Sequence, residues 1–512
     1  MHWRDRTERT DMLGTASAGL VIVIFLTQLV LFSSTDIVLI RQGVAYLYDD
    51  WRPALDILCA VMLIAEYVFI LLRVFSERAQ WMPAKLLCAF LTWLVVTRVL
   101  CGDPTLVESV EYVRVAALCV ALFCFSMMLG KKERRLMMNA LAAIICAYYF
   151  VIAVLSVVVA VTRENIQLPL GIGIAIKSLG YSFVTVVGRS KNTASMWYVV
   201  SLCLAAYLFS LTKNKPLRVL CVIASLAFYA AVSVSRSRVT MLALSLAMSM
   251  LVMLPVLNKL NGRKTAVKAA AVLLIALIIV PLSYKSYGVV SAALSNANVV
   301  VQHESEISDD TADASDNTPE TEAEVQPQEE DTPAAEDTAV QEDIFKETRG
   351  EADVKILGGR VRLWKSVYTT LYFERERLLY GSLTNSYMYM INMFSKFPDP
   401  QNGEVNTHNF LVEALVLTGI PGFLLLLCFT LILVIRMIRI FFYEGADVQM
   451  KLLIVLLAAT LFKNMGEAML IRTDDITNYL FFFAAGVFLA YSYELFPEKA
   501  LPVKLPGKNN GK

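Results

Sequence analysis

Apolar residues in this chain gather into stretches of about 20, the length that crosses the hydrocarbon core of a bilayer, separated by polar connections. Twelve such stretches are legible, near residues 14–40, 54–73, 84–101, 111–130, 137–162, 194–212, 216–234, 239–257, 268–288, 416–441, 450–464 and 477–496. Each predicts a membrane-spanning helix, because a backbone in lipid must satisfy its amides within its own segment. The first stretch lacks a convincing small-residue cleavage site after it and reads as a retained span, not a signal peptide. The rhythm breaks once, between residues 285 and 408, where polar sequence dominates. The expected fold is therefore an all-α polytopic membrane protein of about twelve helices. Nine spans occupy 1–284, a large loop 285–408 and three spans 409–496, with a tail over 497–512.

Composition supports this pattern. The chain is 57% hydrophobic and 18% charged, an unusual balance for a water-soluble domain. Its net charge of +1 conceals an asymmetry: residues 303–345 hold sixteen acidic and no basic residues, so the remainder carries +17. The nine cysteines fall in or beside apolar stretches without a CxxC pair, and read as small packing residues.

Charge also orders the connections. Lys and Arg concentrate at Arg4 to Arg9, Arg73 to Lys85, Lys131 to Arg135, Lys213 to Lys215, Lys259 to Lys268 and Arg436 to Arg439, at every second connection. Basic connections favour the cytoplasmic side, which places both termini inside and the 285–408 loop outside. The 163–193 connection departs from the pattern, with Arg163, Lys177, Arg189 and Lys191 against the single Glu164. Within the loop, 303–345 is rich in Glu, Asp, Thr, Ala and Pro and is expected to be disordered. Over 352–400, Trp364, Tyr368, Leu371, Tyr372, Tyr380 and Tyr387 recur at near-helical spacing and predict short helices lying on the membrane surface.

Three places on the predicted outer side carry candidate chemistry. Ser235-Arg236-Ser237-Arg238 sets two arginines in a very short turn, against the charge rule. They either snorkel to the interface or hold an anion, for which a planar guanidinium is well suited. Gly358-Gly359-Arg360-Val361-Arg362-Leu363-Trp364 spaces Arg360 and Trp364 four apart, on one helical face. That spacing serves a cation–π pair or an anion site. His408, with Asn409 and Glu413, lies where the loop returns to the membrane and is one of only three histidines. Imidazole is the side chain best able to move a proton near neutral pH. On a helix, His408 and Glu413 stand about 140° apart, which disfavours direct pairing. No His/Cys/Asp cluster has metal-ligand spacing, and no P-loop, dinucleotide glycine pattern, GxSxG or basic-aromatic nucleic-acid face occurs.

His408-Asn409-x-x-x-Glu413, followed by Gly419-Ile420-Pro421-Gly422 and a long apolar run, resembles the bacterial O-antigen ligase and O-antigen polymerase family. Ser235-x-Ser237-Arg238 and Gly359-Arg360 through Trp364 resemble that family's two preceding motifs, in the same order. Two features depart from it: the acidic insert, and Gly381-Ser382-Leu383, where a second glycine is expected.

The resemblance implies a membrane glycosyltransferase of GT-C-like helical architecture in the bacterial cytoplasmic membrane. It would take a glycan from a polyprenyl (undecaprenyl) diphosphate carrier to an acceptor hydroxyl on a glycan or lipid, in cell-surface polysaccharide synthesis. It implies His408, Arg360 and Arg238 as catalytic residues, and Arg236, Arg362, Trp364, Asn409 and Glu413 as substrate-binding residues. The implied scheme inverts the anomeric centre, uses no metal or cofactor, and involves the bilayer but no nucleic acid. The rival reading is a multi-span transporter or flippase of lipid-linked oligosaccharide, which is expected to show internal repeats. No clear self-similarity relates the two halves of the chain.

Overall fold

The computed structural model describes residues 81–101, 106–162, 166–167, 175–179, 183–186, 191–235, 237–260, 262–263, 265–309, 364, 367–368, 375, 377–381, 407, 409–466, 470 and 475–496. The first two expected spans lie outside these residues. The other ten each fall on a helix: α1 (Met82–Cys101), α2 (Leu106–Met128), α3 (Lys131–Thr162), α4 (Lys191–Leu211), α5 (Lys215–Ser235), α6 (Arg238–Lys259), α7 (Thr265–Asp309), α9 (Phe410–Phe442), α10 (Val448–Asn464) and α11 (Ile476–Leu495). A one-turn helix, α8 (Arg377–Tyr380), precedes α9. Seven of the described helices are long and apolar enough to cross a membrane, so the protein is a polytopic membrane protein.

Two elements depart from the sequence reading. The 163–193 connection carries a small antiparallel sheet, β1 (Ile166–Gln167), β2 (Ala175–Leu179) and β3 (Phe183–Val186) in the order β1-β2-β3, which adds strands to the expected all-α class. And α7 runs for 45 residues, to Asp309. At 1.5 Å per residue that is about 68 Å, more than twice the hydrocarbon thickness of about 30 Å. The backbone thus shows no break at 285, and residues 303–309, the start of the segment expected to be disordered, are helical. Residues 310–345 lie outside the described residues.

Burial sorts the helices into core and periphery. Of the most apolar window of α11, 89% is buried, with Phe481, Phe482, Phe483 and Phe488 nearly inaccessible; it packs along α2 and against α10. Phe429 of α9 stacks on Phe482 and meets Phe123 of α2 edge-on. At the other extreme, only 6% of the apolar window of α7 is buried, and Leu273, Leu274, Leu277 and Ile278 are exposed. Exposed leucine and isoleucine on a spanning helix are satisfied by acyl chains, which are as apolar as the side chains themselves.

Polar ties mark two ends of the bundle. At one end Arg134 of α3 pairs with Glu494 of α11, Lys268 of α7 with Glu444, and Arg436 of α9 donates to the Phe496 carbonyl at 3.2 Å. Tyr207 of α4 donates to Asn139 of α3 at 2.9 Å on the same side. Lys268 and the Gly262 amide hold the exposed Glu444 carboxyl below the usual glutamate range. That tie is therefore complete above the ordinary glutamate pKa and is lost as pH falls through the lowered value. At the opposite end Trp197 of α4 donates to Asp475, Ser195 to Thr240 of α6, and Ser156 of α3 pairs with Tyr198. The basic connections at 131–135, 259–268 and 436–439 thus gather at one end, and the chemistry-bearing motifs at the other.

Candidate functional site

The segment that returns the loop to the membrane is fixed from both sides of residue 408. Asn409 caps α9: its Oδ1 accepts from the amides of Leu411 and Val412 at 2.9 and 3.2 Å, and its Nδ2 donates to the Met465 carbonyl beyond α10 at 3.2 Å. An asparagine in extended conformation satisfies otherwise orphaned amides at a helix start. Glu413, one turn into α9 and 1% exposed, reaches back past this cap. Its Oε2 accepts from the Thr407 amide at 3.0 Å and the Thr407 hydroxyl at 2.7 Å. That hydroxyl also faces the Asn409 carbonyl at 3.0 Å. The Thr407 carbonyl, in turn, accepts from Trp364 Nε1 at 2.7 Å. Thr407 is fully buried and Asn409 nearly so.

Two of the three sequence motifs are therefore joined directly: the tryptophan of the Gly-Arg segment grips the residue before His408. His408 itself, with Arg236, Arg360 and Arg362, lies outside the described residues. Arg238, the first residue of α6, is exposed. Beside it Ser237 is hydrogen-bonded at 2.8 Å to Thr240, which also accepts from Ser195 of α4. This ties the start of α6 to the start of α4, whose Trp197 donates at 2.9 Å to the buried Asp475 that caps α11. The third motif is thus at the same end of the bundle as the other two. Trp364, Asn409 and Glu413, expected to bind substrate, have polar atoms committed within the protein. The buried Glu413 carboxylate is engaged by Thr407.

Below this cluster α9 is broken at Gly419, whose φ of 67° and ψ of −170° interrupt the helix ahead of Pro421. The break frees the Thr418 carbonyl, and Trp93 Nε1 of α1 takes it at 2.7 Å. The chain after α8 packs on the same break. A Cβ on Gly381, at φ 83°, would lie 2.5 Å from the Leu417 carbonyl, and a Cβ on Gly419 would lie 2.5 Å from the Leu379 carbonyl. Backbones meet this closely only because both residues are glycine. The single glycine of Gly381-Ser382-Leu383 is therefore the one in contact with α9.

Several of these residues were not singled out in the sequence. Thr407 gains its meaning from Glu413 and from Trp364, 43 residues earlier, and Gly381, noted in the sequence only as a departure from the family pattern, from its approach to Leu417. Asp475-x-Thr477 does carry a cap signal, with Asp475 Oδ1 accepting from the Thr477 amide at 2.7 Å. Lys463, in the last turn of α10 and 1% exposed, adds a buried cation close to Met465; a helix C-terminus favours positive charge there.

The chain's middle and loop regions then meet a known family: residues 219–427 match the model of the O-antigen ligase family. The chain carries an O-antigen ligase family region. The matched residues run from α5 through all three motifs to the broken segment of α9. No curated protein matches the chain. The match to the O-antigen ligase family implies a membrane glycosyl-transferring role in polysaccharide biosynthesis and does not favour the transporter reading.

The Thr407 cluster makes a direct prediction. Replacing Glu413 with alanine leaves the buried Thr407 amide without its acceptor and its hydroxyl with only the Asn409 carbonyl, at a cost of about 1–3 kcal/mol. The Glu413→Ala variant is expected to melt measurably below the parent protein in detergent, with Glu413→Gln between the two because it keeps one acceptor oxygen.

Proposed function

We propose that this protein transfers a glycan from a polyprenyl diphosphate carrier to an acceptor hydroxyl at the outer face of the cytoplasmic membrane. The observation that carries this reading is the clasp between Trp364 and Thr407. It brings the Gly-Arg segment and the His408 turn together at the end of the bundle where α6 begins with Arg238. With the basic connections at the cytoplasm, this end faces outward, both termini lie inside, and about twelve spans cross the membrane in a GT-C-like arrangement.

In the reaction the bond between the anomeric carbon and the carrier diphosphate breaks as the acceptor oxygen bonds to that carbon. Negative charge builds on the departing diphosphate, and guanidinium groups fixed beside it lower the barrier. Arg238 and Arg360 take this role, supported by Arg236 and Arg362. His408 accepts the proton of the acceptor hydroxyl as general base. Attack opposite the leaving group inverts the anomeric centre, and the scheme needs no metal. Trp364, Asn409 and Glu413 act as positioning residues that hold the His408 turn. The same site serves a polymerase joining lipid-linked units and a ligase moving a finished glycan.

The test is transfer by the purified full-length protein in bilayers supplied with a polyprenyl-diphosphate glycan and an acceptor. New glycosidic product and free polyprenyl diphosphate are expected, undiminished by a chelator and abolished in Arg360→Ala. Product formation that requires added metal, or that survives unchanged in Arg360→Ala, contradicts the reading.

A further inference from the structure

Among the described residues, the end of the bundle away from Thr407 sets two buried lysines against one neighbouring carboxylate. Lys268 and Lys451 lie in the first turns of α7 and α10 and are 5% and 4% exposed. Both stand where the helix dipole disfavours a cation. Glu444 is within electrostatic reach of both lysines. Its Oε1, however, already accepts from Lys268 Nζ at 2.5 Å and from the Gly262 amide at 2.6 Å. Asp447, four residues before Lys451, is committed to capping α10 through the Gln449 amide at 3.1 Å. Among the described residues the Lys451 ammonium has no hydrogen-bond acceptor. The Lys451 side chain is buried along its stem while its ammonium keeps some contact with water, and two lysines here share one carboxylate, which favours an added anion.

We propose that Lys451 and Lys268 form a binding site for a phosphate group, either the headgroup of an anionic phospholipid or a free phosphate. A phosphate supplies several acceptor oxygens, enough to engage Lys451 while sharing Lys268 with Glu444. Arg263, exposed beside Gly262, borders the site. Leu273, Leu274 and Leu277, exposed on the opposite face of α7, meet acyl chains of the surrounding bilayer. The site is separate from glycosyl transfer and does not depend on that reading.

The experiment measures the thermal midpoint of full-length protein, purified in neutral detergent, with added phosphatidylglycerol, phosphatidylcholine or inorganic phosphate. Phosphatidylglycerol is expected to raise the midpoint and phosphatidylcholine to do so far less. In Lys451→Met the apparent affinity for phosphatidylglycerol falls about fivefold, the effect of one lysine at an anionic surface, and Lys451→Arg restores it. Glu444→Gln, which removes the competing carboxylate, tightens binding and gives an independent readout if Lys451→Met does not fold. An equal response to inorganic phosphate identifies free phosphate as the occupant. No response to either anion, or equal responses in the parent, Lys451→Met and Glu444→Gln proteins, overturns the proposal.

Discussion

Replacing His408 with alanine is expected to reduce glycan transfer by about two to four orders of magnitude, the usual contribution of a positioned general base. The thermal midpoint should barely change. The turn around residue 408 is held by its neighbours: Thr407 by Glu413 and Trp364, and Asn409 by the α9 amides and Met465. The variant therefore removes a proton acceptor without loosening its support. Transfer by purified protein, read beside a melting curve, separates the two effects. Loss of stability equal to the loss of activity would show that the histidine is structural, and full activity would remove it from the mechanism.

The second large effect is expected from Gly419→Ala. The residue stands at φ 67° and ψ −170°, a region nearly confined to glycine that costs an L-residue about 1–3 kcal/mol. Its new Cβ would also lie 2.5 Å from the Leu379 carbonyl, which is backbone and has no rotamer with which to yield. The break in α9 and the chain near α8 must separate, and the His408 turn one helical segment above loses its footing. Transfer is expected to fall more than tenfold, with a fall in stability of about 1–3 kcal/mol for displacing a strained backbone position. Gly381→Ala breaks the same contact from the other side, since its Cβ would meet the Leu417 carbonyl at 2.5 Å. Because both changes break one contact, the double variant is expected to lose less than the sum of the two. Gly288→Ala provides the control: a Cβ there meets nothing within 4 Å, so activity and midpoint should match the parent. Additive losses from the two contact glycines would show that they act separately.

The sequence was legible where chemistry is local. A run of about 20 apolar residues is enough to announce a spanning helix, and the ten stretches within the described residues all proved helical. Asn409 and Asp475 could be read as helix starts because capping acts over two or three residues. What was hidden is what depends on distant partners. Hydropathy cannot distinguish α11, packed in the core, from α7, exposed to lipid, because both surroundings reward the same side chains. The strands at 166–186 are two to five residues long, too short for alternation to stand out in a connection. The polar length of α7 beyond the apolar layer resembles loop sequence. In the candidate site, the order of the motifs was visible, but the Trp364–Thr407 bond spans 43 positions and the Gly381–Gly419 contact 38. The sequence thus did not show that the polar groups of Trp364 and Glu413 both bond to Thr407.

The account rests on an outward-facing turn at residue 408 beside the carrier diphosphate. The most direct test is side-specific labelling of the His408→Cys variant in intact cells, compared with the parent protein to subtract its own nine cysteines. A membrane-impermeant thiol reagent added from outside should modify the variant, and polyprenyl-diphosphate glycan should protect it. Labelling only after the cytoplasmic side is opened, or labelling that the donor leaves unchanged, would contradict the account.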